Sequence, residues 1–314
     1  MKYGYLVLLL FSTLSILAEE HKRIGAVEYD NSDRYLIESK SVGDDFRIDV
    51  IPPIGYAGED EKYPVVYVTD ANYLLPSAAA SYLAQATGEY PKVIIVGIGW
   101  NVPSIARIRV RDFSPTCDAE YQAEQSMSDE ECGQADPFVA FIKDELQPFI
   151  EKNYRTTDQK TLVGYSFGGL FALHVLFNHP EVFDNYVIGS AAMNWDEKFV
   201  FRSEEKYAKK NKDLAKRVYL SSGALESFGI VPNTHLMYEQ LLAREYPNLK
   251  IKLDILADET HMTGINSFAM RGLGYTSGAQ QPRKIRANKP GYDTAIDFCI
   301  KTLEILMSST FKEV

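Results

Sequence analysis

Sulfur and basic charge are both scarce in this sequence. Three cysteines in 314 residues cannot make a disulfide-dense scaffold. None stands at metal-ligand spacing from a histidine, so a cysteine-based zinc site is not expected. Lysine and arginine number 33 against 43 aspartates and glutamates, a formal net charge of −10. The overall field therefore repels polyanions, which argues against nucleic acid as a partner. No repeat, low-complexity tract or Ser/Gly linker divides the chain after its first residues. With 46% hydrophobic and 24% charged residues, disorder, a collagen-like repeat and a multi-span membrane protein are all excluded.

The one uniformly apolar stretch is at the start. Lys2 is followed by an apolar run from Tyr5 to Phe11 that resumes at Ile16 and Leu17, and Ala18 precedes Glu19 and Glu20. This is the pattern of a secretory signal peptide over residues 1–18, too short for the ~20 residues of a spanning helix. No cysteine stands at the cut, which argues against a lipid anchor. The expectation is an exported protein, periplasmic or secreted, with no stable membrane insertion once the leader is gone. Residues 19–314 then form a single domain. In an oxidising compartment Cys117 and Cys132 are expected to close a short disulfide loop, leaving Cys299 as a thiol buried in the apolar run 295–300.

Periodicity gives strands alternating with helices. Two alternating runs, Arg34–Lys40 and Asp45–Ile51, read as an antiparallel entry pair closed by Pro52 and Pro53. Continuous apolar runs follow at 64–69, 92–97, 161–164, 186–189, 217–221 and 251–256, as expected of strands covered on both faces. The clearest helix spans Pro137–Ile150. Eight strands with intervening helices predict an α/β class chain with the α/β-hydrolase fold, a mostly parallel eight-stranded sheet flanked by helices. Two segments break the rhythm. One is the acidic stretch Ser114–Ala135, expected to be a surface excursion. The other is Met270–Pro290, Gly-rich and carrying the basic run Arg283–Lys289.

Gly164-Tyr165-Ser166-Phe167-Gly168 lies between a strand and the helical run Leu170–Phe177. A serine hydroxyl becomes a nucleophile when a sharp turn projects it towards a base, and flanking glycines let the backbone close around that turn. Ser166 is thus the candidate nucleophile. Of the five histidines, His21, His174 and His179 come too early for a chain ordered Ser, acid, His, and His235 sits inside a helical run. His261 follows the last strand at the carboxyl edge of the sheet and is the candidate general base and acid. Glu226, just beyond the strand 217–221, is the candidate orienting carboxylate, with Asp258 as the alternative. The backbone N–H of Phe167 is the first oxyanion donor. The second is expected at Asn72, or at Ala71 beside it, on the loop leaving the strand 64–69.

These residues resemble the putative-esterase branch of the α/β-hydrolases, which includes siderophore (enterochelin-type) esterases, S-formylglutathione hydrolases, feruloyl and acetyl xylan esterases, and mycolyl transferases. The similarity runs from about Arg34 to Leu306 and is carried by segments 65–70, 111–115, 141–155, 164–169, 180–183 and 190–195. It implies that Ser166, Glu226 and His261 are the serine, acid and histidine of an acyl-serine mechanism with no metal and no organic cofactor. The Arg111–Pro115 element and a glutamate acid lean towards the siderophore-esterase-like group. The chain departs from the family at Asp70-Ala71, where Asp-Gly is common, and at Ser190-Ala191-Ala192, where a Ser-Pro-Ser segment is common. The expected function is a serine carboxylesterase acting on a small-molecule ester. An acyltransferase using the same acyl-enzyme, and a non-catalytic binding protein on the same fold, are the alternatives. Trp195, Trp100, Phe167 and Tyr275 are candidates for an aromatic substrate pocket, and Arg283 for holding an anionic substrate.

Overall fold

The runs rich in valine, isoleucine and tyrosine become strands. The computed structural model describes Tyr29, residues 31–226 and residues 229–278, and its strands form an eight-stranded sheet. In chain order they are β1 (Asp33–Glu38), β2 (Asp45–Ile51), β3 (Tyr63–Val68), β4 (Ile94–Trp100), β5 (Thr156–Tyr165), β6 (Asn185–Gly189), β7 (Arg217–Gly223) and β8 (Lys250–Leu256). Their spatial order is β1-β2-β4-β3-β5-β6-β7-β8. β2 is antiparallel to β1 and to β4, and every other pair is parallel. This is the mostly parallel α/β-hydrolase sheet expected from the sequence. The expected leader at residues 1–18, Cys299 and the basic run containing Arg283 lie outside the described residues.

The helices are α1 (Ala71–Ala79), α2 (Ser81–Ala86), α3 (Ala106–Phe113), α4 (Ala119–Gln125), α5 (Ala135–Ala140), α6 (Gln147–Asn153), α7 (Phe167–Asn178), α8 (Trp195–Lys210), α9 (Ile230–Ala243) and α10 (Ile265–Thr276). They cover both faces of the sheet, which is why β3, β4, β6 and β7 lack polar alternation. In β3, Val65 and Tyr67 enter one core with Phe46, Ile94 and Val96, while Val66 and Val68 enter the other with Ile95, Val163 and Tyr219. α1 and α10 close the second core through Leu74, Leu75, Phe268 and Leu273. The first core is closed by α3, α5 and α7 to α9, and Phe46, Phe113, Phe138, Phe141 and Phe171 are packed there with no exposed surface. Each such ring contributes about 1.5–3 kcal/mol by leaving water.

Three local readings are corrected. The helix expected over Pro137–Ile150 is not continuous: between α5 and α6 the segment Phe141–Leu146 is π-helical. Pro148 has no N–H to give Asp144 and its ring would crowd that carbonyl, and a wider turn relieves the conflict. The widened turn sends Glu145 to the β1–β2 hairpin, where it accepts from the N–H groups of Lys40 and Ser41 at 3.0 and 2.9 Å. Within Ser114–Ala135, α4 forms although it has no fully buried residue, so no apolar stripe was there to read. Asp118 caps it by accepting from the Tyr121 N–H at 2.9 Å, and a Cys117–Cys132 disulfide closes the excursion. Finally, Met270 and Arg271 belong to α10, and Arg271 pairs with Asp254 at 3.2 Å.

Candidate active site

Between β5 and α7 a single residue makes the turn. Ser166 has φ 59° and ψ −117°, a region sparsely populated by L-residues that costs about 1–3 kcal/mol. It persists because the backbone holds it from three sides. Its N–H donates to the Gly189 carbonyl at 3.0 Å, and its carbonyl accepts from Leu170 at 3.0 Å and Ala192 at 3.1 Å. The two motif glycines are steric requirements. A Cβ on Gly164 would lie 2.0 Å from the Gly168 carbonyl oxygen, and one on Gly168 would lie 2.6 Å from Thr69 Oγ1. The second contact brings the loop after β3 against the start of α7. Phe167 is the first residue of that helix, where the backbone N–H has no partner inside the helix.

His261 sits in a turn between β8 and α10, and Glu226 in the segment after β7. These loops are stitched together: Ala224 N–H donates to Leu256 at 2.8 Å, and Leu225 N–H to Glu259 at 3.0 Å. The stitching carries Glu226 Oε2 to 2.7 Å from His261 Nδ1. The glutamate side chain is 1% exposed and the histidine 37%. Glu226 Oε1 accepts from the Gly223 N–H at 2.6 Å and from Ser190 Oγ at 2.5 Å. Burial works to raise the carboxyl, but the bonds from His261, Ser190 and Gly223 outweigh it and hold the acid below its ordinary 4.5. Asp258 is exposed, and His235 is exposed on α9.

Ser190 and Tyr165 were missed by sequence reasoning. Ser190 directly follows β6 and has φ 43°. Tyr165 OH lies 2.8 Å from Ser190 Oγ and 2.7 Å from the His261 carbonyl. These contacts and the one to Glu226 share two hydroxyl protons. The charged carboxylate takes the Ser190 proton, leaving Tyr165 to donate to the His261 backbone. The signal available was position alone, a serine at the carboxyl end of a strand beside the one that ends at the nucleophile.

Ser166 and His261 line one open cavity of about 320 Å³, walled by Tyr73, Leu74, Ile105, Tyr165, Met262 and Ile265, with Asp70 and Arg109 on one side. Asp70 is 2% exposed with φ 54°, and Arg109 Nε donates to its Oδ1 at 2.6 Å. The guanidinium also lies 5.4 Å from the Phe167 ring centre. This pair, too, was not foreseen; the Arg111 element read from the sequence is structural, since Arg111 pairs with Asp44 and the buried Asp112.

Of the other candidates, Asn72 spends both amide atoms on the Trp100 backbone, accepting at 3.0 Å and donating at 3.2 Å. Its side chain is thereby held on the Trp100 backbone, and its own backbone N–H is the donor offered to an oxyanion. Trp100 does not reach the cavity: it is 1% exposed, packed against Phe113, and its indole N–H donates to Asp112 at 2.8 Å. Trp195 is buried behind Phe167 at 5.2 Å, and Tyr121 from the disulfide-closed excursion packs on both rings. Tyr275 stacks near Arg217 at the opposite, amino end of β7. Arg283 lies outside the described residues.

Comparison with known proteins agrees with this fold. The family described as Putative esterase matches residues 39–262. The ferri-bacillibactin esterase BesA of Bacillus subtilis is 29% identical over 239 residues, covering 71% of this chain and 80% of that protein. A siderophore triacetylfusarinine C esterase of Aspergillus fumigatus is 27% identical, covering 64% and 70%. Among solved structures, the BES protein from Bacillus cereus superposes with a TM-score of 0.72 at 28% identity, covering 82% of this chain and 98% of that one.

Proposed function

Because the chain belongs to the Putative esterase family and is an ester hydrolase, we propose that it is an exported serine carboxylesterase, a single α/β-hydrolase domain over residues 19–314 behind a leader at residues 1–18. Ser166 Oγ attacks the ester carbonyl carbon while His261 Nε2 takes its proton. Glu226 fixes the ring with Nδ1 protonated and stabilises the imidazolium. The carbonyl oxygen, now negative, is held by the N–H of Phe167 and by a backbone N–H of Ala71 or Asn72. Collapse of the adduct breaks the ester C–O bond; the alcohol leaves with the proton from His261 and the acyl group stays on Ser166. Water then repeats the sequence and releases the carboxylic acid.

The observation that carries this reading is the 2.7 Å bond between His261 and Glu226, at a cavity shared with a serine in the left-handed turn. The partial exposure of His261 lets water reach the base, which favours hydrolysis over acyl transfer. A cavity of mainly apolar side chains with one guanidinium suits a largely apolar substrate that carries oxygen acceptors. Together with relatives named for siderophore esters, this supports a siderophore-like ester.

A fluorophosphonate probe should label Ser166, and Ser166→Ala should stay folded while losing turnover by a factor on the order of 10⁶. Near-normal turnover in a folded Ser166→Ala, or labelling elsewhere, overturns the assignment. A panel of siderophore lactones and simple aryl esters tests the substrate class. Product analysis with an added alcohol acceptor separates hydrolysis from transfer.

A further inference from the structure

We propose that Asp136, His174 and His179 bind one divalent first-row transition-metal ion, at a site separate from the esterase centre. Their ligating atoms all lie within 4.8 Å of one another. Asp136 Oδ1 is 2.8 Å from His174 Nε2 and 2.9 Å from His179 Nε2, so two imidazoles converge on one carboxylate oxygen. Two imidazole nitrogens and a carboxylate form a borderline donor set suited to zinc, cobalt or nickel, with positions left for water.

The three residues differ in the ways such a site requires. His174, in α7, is 4% exposed and rigidly packed. The Asn178 amide stands 3.2 Å from its Nδ1. The same amide nitrogen donates to the His174 carbonyl at 3.1 Å, which anchors Asn178 beside the ring, and Nε2 is the nitrogen that faces Asp136. His179 caps the end of α7 and is partly exposed, and Asp136 is in the first turn of α5 with its side chain 69% exposed. Metal–ligand bonds near 2.0–2.2 Å in a tetrahedron need donors ~3.3 Å apart, so Asp136 must withdraw by ~0.5 Å and the two imidazole nitrogens, which lie within 4.8 Å, must close to that spacing. Its exposure allows that movement and gives the ion its entry path.

The site acts on the fold and not on the chemistry. His174 is eight residues along α7 from Ser166, about 12 Å at 1.5 Å per residue. An ion there would clip the end of α7 to the start of α5. No ligand motif announces it, since its three residues come from two separate segments of the chain.

Zinc and cobalt salts titrated into the purified, untagged protein test the proposal. The expected result is saturable uptake of about one equivalent at ~micromolar affinity or tighter, a visible cobalt spectrum, and a rise in melting temperature with zinc. His179→Gln and Asp136→Asn should weaken uptake by on the order of 100-fold. His261→Ala should bind zinc normally, and turnover of a neutral aryl ester by His179→Gln should stay within a few fold of the parent. Thermal unfolding of the metal-free variants checks their folding. No saturable uptake, uptake undiminished in folded His179→Gln and Asp136→Asn, or uptake lost in His261→Ala would each overturn the assignment. The trio would then be a hydrogen-bonded helix clip only.

Discussion

Ser190 and Glu226 stand 36 residues apart in the chain, and their side-chain oxygens meet at 2.5 Å. The serine therefore acts on the histidine through the carboxylate. A hydrogen bond to a buried charged group is worth about 1.5–3 kcal/mol, so Ser190→Ala should lose stability of that order and lower kcat about 10-fold or more. Glu226 is held below its ordinary 4.5, and such a group contributes stability that is present above 4.5 and lost as pH falls through its folded value. The stability gap between Ser190→Ala and the parent should be widest at neutral pH and close below 4.5. Urea unfolding at several pH values measures it; a gap independent of pH would make Ser190 a packing residue.

Two pairs of substitutions separate the relay from its neighbours. His261→Ala should abolish turnover, whereas the exposed His235→Ala should stay within a few fold. Glu226→Gln should reduce kcat by up to about 10⁴ through loss of the correct tautomer; Asp258→Asn should have little effect. A larger loss from Asp258→Asn would move the acid one strand along.

Asp70 and Arg109 should be mutually dependent. Removing one member of a buried ion pair strands the other and costs about 3–5 kcal/mol. Arg109→Met should therefore be less stable than the Asp70→Asn/Arg109→Met double variant. Because Asp70 makes the left-handed turn into α1, both should also lower kcat. Additive losses in a double-mutant cycle would show that the two residues act independently.

Of the three cysteines, two are paired, so the folded chain should carry one free thiol, Cys299. The bridge spans a sequence separation of 15, for which chain entropy alone gives about 3 kcal/mol. The Cys117→Ser/Cys132→Ser variant should unfold at correspondingly lower urea and loosen Tyr121 from Phe167. Thiol titration of the native and reduced protein checks the count.

Sheet and elbow were legible because each rests on local rules. An unbroken apolar run marks β3, and steric need marks Gly164 and Gly168. Glu226 and His261 were placed by chain order and strand edge, without any local sign that they touch. Ser190, Tyr165 and the Asp70–Arg109 pair escaped because their roles arise only when separate strands are laid side by side. Trp100 misled for the opposite reason: an indole reads as a pocket residue until a buried carboxylate is found to satisfy its N–H.

β3 and β5 pair in parallel from Val65–Lys160 to Val68–Val163, across almost a hundred residues of chain. The same ladder ends in the Asp70 loop on one strand and the Ser166 turn on the other. A slip of one residue would turn every side chain of a strand to the wrong face. Such distant closures are also slow to form. In a refolding experiment, helical circular dichroism should return before ester turnover, and the delay between them would time the closure of this one pair of strands.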